Sequence, residues 1–592
     1  MKFIRKVLLG CAAFCMAIAS AQAGQVARKK LIQYGWDYRD QAFIREHVRE
    51  MEEKPFDGII FRLKGRSSIF RDQPWDEKSF EQIVEECKAI EWSKFTDNFI
   101  IIHSSTSMDW FKDDDWKGAI HNLRLVLKAA TAARCRGICI DPEPYGPSPW
   151  SYWTQQHAES KSFEEYQAIA RKRGADFIRV IQQEMPEAVL LSLYQFCLFE
   201  GPAGEINPER RDGMLAKHPY GIYHSFLTGM LDAAAPGISF VDGNEFSYYY
   251  KEPLDFYVAY HKIKQLCQNL AGKENRVKYQ SQVKVGQALY PDYLLALGTW
   301  GDKRFTPAQE LSEADRLRWL EHNVYYGLKS ADEFVWMYNE KMNWWEGDDI
   351  PEGMEEAIRR AKARMAKGVD LDFEIGDMIK AAEKRGKEKT RANLMTRTAT
   401  ISRVKPTAEG LKVDGDLDKP FWSGVKPLSP LIPTFSRGTP LKGETEVKVA
   451  YDDEHLYVAF RCLEPKVKEM RAVKDPIWLG DSIDLYLSRS ESRDAYLHLI
   501  VNPENVQWTR GAEEGQNSAP LRFESATKVG EGHWSVEMAI PWKAMETTAP
   551  ASGEKRFANL CRFRVPDQEI SAWSQVLQEF NEPKSFGTWI FQ

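Results

Sequence analysis

RGICIDPEPYG, residues 136–146, is a short apolar run that ends in two acids. Asp141 and Glu143 stand two apart, and each is followed by a proline that fixes the local backbone. A run this short, bounded by turn residues, reads as a strand buried on both faces. The acids at its end are either a solvated loop or catalytic groups. The segments on either side decide between them.

From residue 30 onward, strand-like and helix-like segments alternate. KKLIQYGWDY precedes QAFIREHVREMEEK, and FDGIIFRLKG precedes SFEQIVEECKAIEWSK. DNFIIIHSST precedes WKGAIHNLRLVLKAATAARC, and the quoted run precedes FEEYQAIARKRGADFIRVIQQEM. AVLLSLYQF, ISFVDGNEFSYYY, VKYQSQVKVGQALY and DEFVWMYNEKMNWWE continue the series, each followed by a helical stretch. Eight βα units in succession predict an α/β fold, a (β/α)8 TIM barrel over residues 30–365. The competing open doubly wound sheet would carry a Gly-rich phosphate loop after its first strand, and none is present. In a barrel, function lies at the C-terminal strand ends, so Asp141 and Glu143 fall on the working face.

Residues 366–405 are charged and helical and read as a connector. Beyond them, over 406–592, alternating runs such as EVKVAYDDEHLYVAFRC, DSIDLYLSR and HWSVEMAIP are separated by Gly, Pro, Asp and Asn. This pattern predicts an all-β sandwich. The sequence also begins with Lys2, Arg5 and Lys6, an apolar stretch from Val7, and Ala21-Gln22-Ala23. Residues 1–23 therefore read as a secretory signal, which places the mature chain in the periplasm or outside the cell. Leu8-Leu9-Gly10-Cys11 looks like a lipobox but precedes most of the apolar region, so no lipid anchor is expected. No later stretch is apolar enough to span a membrane.

A net charge of −6 without basic, aromatic-interleaved runs gives no reason to expect nucleic acid. Seven cysteines remain beyond Cys11 and Cys15, none in CxxC pairs, and they read as buried free thiols. The 19 tryptophans suit a sugar-handling protein, because the C–H face of a pyranose packs on an indole as other apolar surfaces do. The sequence leaves the oligomeric state open.

VDGDLDKPFW (413–422), VKVAYDDEHLYVAF (447–460), WLGDSIDLYL (478–487), WSVEMAIPW (534–542) and FGTWIF (586–591) occur in the order found in family-9 carbohydrate-binding modules. The segment resembles such a module. The resemblance implies a β-sandwich that holds sugars between tryptophans, with structural calcium in many members. Trp478 resembles one stacking tryptophan, Asp484 falls where the family has a Glu that contacts hydroxyls, and Trp573 is the candidate second wall. Trp422 reads as core. Asp414, Asp416 and Asp418 have spacing suited to an oxygen-seeking cation and equally to a solvated turn.

Glycoside cleavage needs a proton donor and a second carboxylate that attacks or activates water. The fourth strand end offers Asp141 and Glu143, the sixth Asp242 and Glu245, and the eighth Glu340. D-x-E resembles the end of the chitinase-type signature, but Arg136 and Cys139 replace that signature's upstream aspartates, so no N-acetylhexosamine specificity follows. Glu143 and Glu245 are the expected acid and nucleophile or base, in either order, with Glu340 and Asp141 assisting. Trp36, Asp37, Arg62, His103, Tyr145, Tyr194, Asp242, Trp336, Tyr338 and Trp344 are the expected sugar-contacting residues. The barrel calls for no cofactor. The sequence reads as a secreted glycoside hydrolase. A degenerate barrel that only binds carbohydrate is the alternative, and a lyase with a Tyr or His base is a third reading.

Overall fold

The computed structural model describes residues 29–592 apart from 67, 72, 299–305, 393–395, 406–410, 435–440, 494–495, 512–520 and 577–579. The signal read at residues 1–23 lies outside the described residues. The described chain divides into two compact units, one up to Lys384 and one from Arg385.

The first unit is a (β/α)8 barrel. Its strands are β1 (Lys30–Gly35), β2 (Gly58–Phe61), β3 (Phe99–His103), β4 (Gly137–Asp141), β5 (Val189–Ser192), β6 (Ser239–Asp242), β7 (Val283–Val285), β8 (Gln287–Leu289) and β9 (Phe334–Asn339). All pair in parallel, in the order β7-β6-β5-β4-β3-β2-β1-β9-β8. Only Gly286 separates β7 from β8. β7 pairs with β6 and β8 with β9, so these two pieces act as the seventh strand and close the ring. The Gly286 amide bonds the Asp242 carbonyl at 2.7 Å, and a Cβ there would meet that oxygen at 3.1 Å.

Helix α1 (Gln41–Met51) follows β1. Asp40 caps it by accepting from the Ala42 and Phe43 amides, and Ile44, Val48 and Met51 form its buried stripe. Farther on, α2 (Phe163–Glu184) opens with a capping box between Ser162 and Glu165. It packs against α3 (Gly221–Ala233), where the absence of a side chain at Gly174 and Gly229 lets the backbones approach. Helix α4 (Gly376–Ala392), in the stretch read as a connector, buries Ile379 and Ala382 in the barrel's outer core.

Two hydrophobic cores divide each strand by parity. Ile32, Ile60, Phe99, Ile101, Cys139, Leu191, Val241, Phe334 and Trp336 fill the barrel interior. Leu31, Ile59, Ile100, Ile138, Ile140, Phe240, Val335 and Met337 face the helices. Successive side chains point to opposite faces. On β4, Cys139 points inward, so Asp141 does too. On β6, Val241 points inward, so Asp242 points out.

The second unit is a β-sandwich. Its strands are β10 (Thr398–Arg403), β11 (Ile432–Pro433), β12 (Thr445–Tyr451), β13 (His455–Leu463), β14 (Ser482–Ser488), β15 (Tyr496–Val501), β16 (Gln507–Gly511), β17 (Glu524–Gly530), β18 (His533–Pro541), β19 (Lys555–Arg564), β20 (Glu569–Ala572) and β21 (Gly587–Phe591). They form one curled sheet, ordered β16-β15-β14-β19-β21-β10-β12-β13-β18-β17, whose two halves share a core of Val458, Leu485, Trp534, Trp573 and Trp589. The DGDLDKPFW turn is anchored by the fully buried Glu537 on β18. Glu537 accepts from Trp422 Nε1 (2.7 Å), the Asp414 and Gly415 amides, and Lys419 Nζ (2.9 Å). Trp422 is 0% exposed and is core, as expected. The seven described cysteines are free thiols, six of them buried.

Candidate active site

Parity carries Asp141 and His103 to the inner rim of neighbouring strands. Asp141 is fully buried, and its Oδ2 lies 3.2 Å from His103 Nδ1. Its Oδ1 accepts the Glu143 amide at 2.9 Å. This bond folds the turn so that Glu143, half-buried, stands just past the strand. Tyr145, exposed at the lip, donates its hydroxyl to Glu143 Oε2 at 3.0 Å. Burial first, then the Asp141 charge, pushes the Glu143 carboxyl up, while the Tyr145 hydroxyl bond pulls it down.

Glu245 follows β6 across a turn in which Asn244 adopts φ +45°. Its amide bonds the Leu193 carbonyl at 3.2 Å. Its Oε2 is buried and has no hydrogen-bond partner among the described residues. Burial, then the charges of Glu143 and Asp141, push the Glu245 carboxyl up to about 8. The three acids therefore share one site, in which Glu143 and Asp141 act on Glu245 through space. Tyr220 stands within the field of all three and is raised to about 12, mainly by burial. Its hydroxyl lies 2.8 Å from that of Tyr194, which also feels Glu245 and Asp141.

Glu340 sits apart from this trio. Tyr338 donates to its Oε1 at 3.4 Å, and its charge also raises Tyr290. Burial raises Tyr338, and the charges of Glu340 and Glu245 add to that rise. Asp292, fully buried, accepts the Glu340 and Lys341 amides and holds that turn. Burial is the main cause of its rise to about 6. A floor of packed rings closes the barrel beneath the acids: Tyr34, Tyr248, Tyr290, Trp336 and Tyr338, with centroids 5.0–6.4 Å apart. Trp36, 58% exposed, donates its indole N–H to the Tyr338 hydroxyl. Arg62 is exposed, and its guanidinium lies 5.0 Å from the centre of the Tyr38 ring.

Several expected contact residues face away from this site. Asp242 points out of the barrel, where its carboxylate accepts the Gln195, Cys197 and Asn244 amides. Asp37, in the turn just past β1, is nearly buried and accepts from Gln33 Nε2 and the Trp344 amide. Trp336 is fully buried and spends its N–H on the Gly243 carbonyl at 2.8 Å, so it is floor rather than wall. Trp344 is fully buried against Phe56 in the outer core. These positions have no free surface to offer a sugar. The sequence reading also missed Tyr220 and Asp292. Tyr220 directly precedes α3 and Asp292 lies in the short helical turn Pro291–Leu294, and no motif marks either.

In the sandwich, Trp478 is 52% exposed and meets the Trp508 ring edge-on at 5.8 Å. His498 lies 5.1 Å from Trp508 and 2.7 Å from Asp484, so Asp484 is paired and nearly buried rather than open to hydroxyls. Trp573, the expected second wall, is 0% exposed in the sandwich core and cannot stack on a sugar. Trp508 is the aromatic neighbour that the sequence did not single out. Asp414 pairs with Lys419, Asp416 with Lys528 and Asp418 with Arg461. Each of these carboxylates thus has a cationic partner among the described residues.

Residues 413–592 match the family described as "Carbohydrate family 9 binding domain-like". The C-terminal unit is a family-9-like carbohydrate-binding domain. This region also matches Endo-1,4-beta-xylanase A of Thermotoga maritima, 26% identical over 145 residues, 23% of this chain and 12% of that one. The same enzyme from Thermotoga neapolitana is 25% identical over 143 residues, and the match again spans 12% of its length. Among solved structures, a family-9 module from Caldicellulosiruptor kristjanssonii in complex with cellotriose is 20% identical. It covers 33% of this chain and 94% of its own, with a TM-score of 0.27. A modular endo-β-1,4-mannanase from Cellulomonas fimi is 8% identical, covering 96% of this chain and 94% of its own, with a TM-score of 0.28.

Proposed function

We propose that the barrel hydrolyses O-glycosidic bonds of a poly- or oligosaccharide, that the C-terminal domain helps hold the polymer, and that the chain works after secretion. The observation that carries this reading is the Glu245 carboxyl, pushed up to about 8 by burial and by Glu143 and Asp141, with one buried oxygen left without a partner. At neutral pH such a carboxyl keeps its proton and can give it to a leaving glycosidic oxygen. Glu143 is also pushed up, chiefly by burial and then by Asp141, but unlike Glu245 it has a donor, the Tyr145 hydroxyl, that works against that rise. Glu143 is thus the carboxylate that attacks the anomeric carbon or takes a proton from the attacking water. Asp141 and His103 hold the turn. Tyr194 and Tyr220 supply hydroxyls beside the reacting bond, and Trp36 and Tyr145 supply exposed aromatic faces at the lip. Glu340, beyond Tyr338, contacts a neighbouring sugar rather than the scissile bond.

The test is a hydrolysis screen over a panel of plant and microbial glycans. The parent chain is compared with Glu143→Gln and Glu245→Gln. Reducing sugar released by the parent and lost in both variants supports the reading. Equal activity in all three rejects this site, and no activity in the parent favours a barrel that only binds.

A further inference from the structure

We propose that Phe246 and Tyr249 form the subsite for the departing sugar, an aromatic shelf on the far side of Glu245 from Glu143, which fits the barrel to bonds between two sugar rings. The inference rests on Glu245 being the proton donor of the reaction proposed above. Glu245 opens a 3-10 turn that runs to Tyr249. Side chains three apart on such a turn eclipse, so they fall on three faces. Glu245 shares its face with Tyr248, which is buried in the floor and stacks on Tyr338 at 5.7 Å. Ser247 is fully buried on the second face, where its hydroxyl oxygen accepts the Ala288 amide at 2.6 Å. These two buried residues fasten the turn to the barrel. The third face carries Phe246 and Tyr249, 53% and 45% exposed.

The direction of that face follows from what Tyr249 touches. Its ring meets Tyr248 edge-on at 6.1 Å, at the margin of the floor, and Tyr293 edge-on at 5.0 Å. Tyr293 belongs to the turn Pro291–Leu294, just past β8. Around the barrel, Glu143 follows β4, Glu245 follows β6 and Tyr293 follows the seventh strand position. The shelf therefore lies beyond Glu245 as seen from Glu143. During cleavage the glycosidic oxygen lies against the proton donor, and the anomeric carbon is attacked from the side of the second carboxylate. The ring that keeps the anomeric carbon lies toward Glu143. The ring that departs, carrying the oxygen, the bonding electrons and the Glu245 proton, lies beyond Glu245. The C–H face of that ring packs on the half-exposed rings of Phe246 and Tyr249. A leaving group without a ring gains nothing from the shelf.

The test is made on the full chain with two substrates. One is the tetrasaccharide of the glycan that the parent cleaves in the screen. The other is the fluoride of the matching trisaccharide, in the same anomeric configuration. Both place the same sugars on the Glu143 side, but the first expels its reducing-end sugar and the second expels fluoride. Phe246→Ala and Tyr249→Ala should each lower the ratio of kcat/KM, sugar release over fluoride release, by about three- to tenfold. Phe246→Tyr keeps a ring and should lower it less. Fluoride departs with little help from an acid, so a displaced Glu245 would lower the same ratio. The pH profile on the tetrasaccharide separates the two, because loss of the shelf alone leaves the parent's basic limb in place. A ratio unchanged in both alanine variants, or one that falls together with a shifted basic limb, would overturn the shelf and leave the hydrolase standing. A parent chain that cleaves no glycan would remove the hydrolase reading and the shelf with it.

Discussion

Asp141 Oδ1 accepts the backbone N–H of Glu143 at 2.9 Å, and its other oxygen faces His103. One buried carboxylate thus shapes the turn that presents Glu143 and also adds its charge to the field at Glu245.

These two roles of Asp141 are separable. Asparagine keeps an oxygen in place for the Glu143 amide but removes the negative charge. In Asp141→Asn the Glu245 carboxyl therefore loses its proton at a lower pH than about 8. Burial is the larger cause of the rise, so the shift is partial. The basic limb of the kcat/KM profile should move to lower pH, while circular dichroism stays that of the parent. An unmoved limb would mean that Glu245 is not the proton donor.

Glu245 also makes stability depend on pH. Its folded-state value, about 8, lies above the ordinary 4.5. Between those values the folded chain keeps a proton that the unfolded chain has released. The contribution is therefore greatest below pH 4.5 and falls as pH rises through about 8. Glutamine cannot ionise. The melting temperature of Glu245→Gln minus that of the parent should climb steadily from pH 5 to pH 8, with the other groups cancelling in the difference. A flat difference would place Glu245 in a far more solvated setting.

The eight alternating units made the barrel legible, because each strand is short, apolar and followed by a helical stripe. Which end-of-strand residues look inward was not legible, because strands apolar on both faces lose the alternation that would reveal their parity. GICID reads the same whichever face Cys139 takes. Only the split into two cores shows that Asp141 and His103 point in while Asp242 points out. Strand order placed Glu143 and Glu245 at strand ends, but Tyr220 was not legible, since it comes from a loop with no fixed offset. In the sandwich the motif order gave the domain. Trp573 misled because its burial depends on strand pairing: it follows β20, whose neighbour is β19.

Gly243 sets the position of Glu245. A Cβ at residue 243 would lie 2.4 Å from the Ser192 carbonyl oxygen and 2.8 Å from both the Leu193 carbonyl oxygen and Trp336 Nε1. Two of these three are backbone atoms that cannot swing away, so the chain after β6 must shift. Overpacking of this kind costs about 1–3 kcal/mol. If Glu245 is the proton donor proposed above, Gly243→Ala should lower kcat more than it raises KM, because it moves Glu245 and leaves the lip aromatics Trp36 and Tyr145 in place. Steady-state kinetics on the best substrate from the glycan screen would show this. A variant with parental kcat would mean that the turn absorbs the methyl elsewhere.

Glu464 supports the sandwich through a buried ionic network. It is 0% exposed, and its oxygens accept from Arg562 Nη2 (3.2 Å) and from Arg564 Nε and Nη2 (2.7 Å each). Arg564 has further partners in Asp567 and Glu569, whereas Arg562 otherwise rests on carbonyls and a hydroxyl. Replacing a buried pair by well-packed apolar groups can be neutral, but removing one member strands the other charge at a cost of about 3–5 kcal/mol. Glu464→Ala leaves Arg562 without its carboxylate and opens a void beside it, so the unfolding free energy of the C-terminal domain should fall by that amount and the denaturant midpoint should fall with it. Glu464→Gln keeps the volume and one acceptor oxygen and should fall by less. The comparison is made on the full chain by urea titration followed by tryptophan emission. If Ala and Gln destabilise equally, the lost charge rather than lost packing accounts for the effect. If neither shifts the midpoint, the buried network contributes nothing measurable to stability.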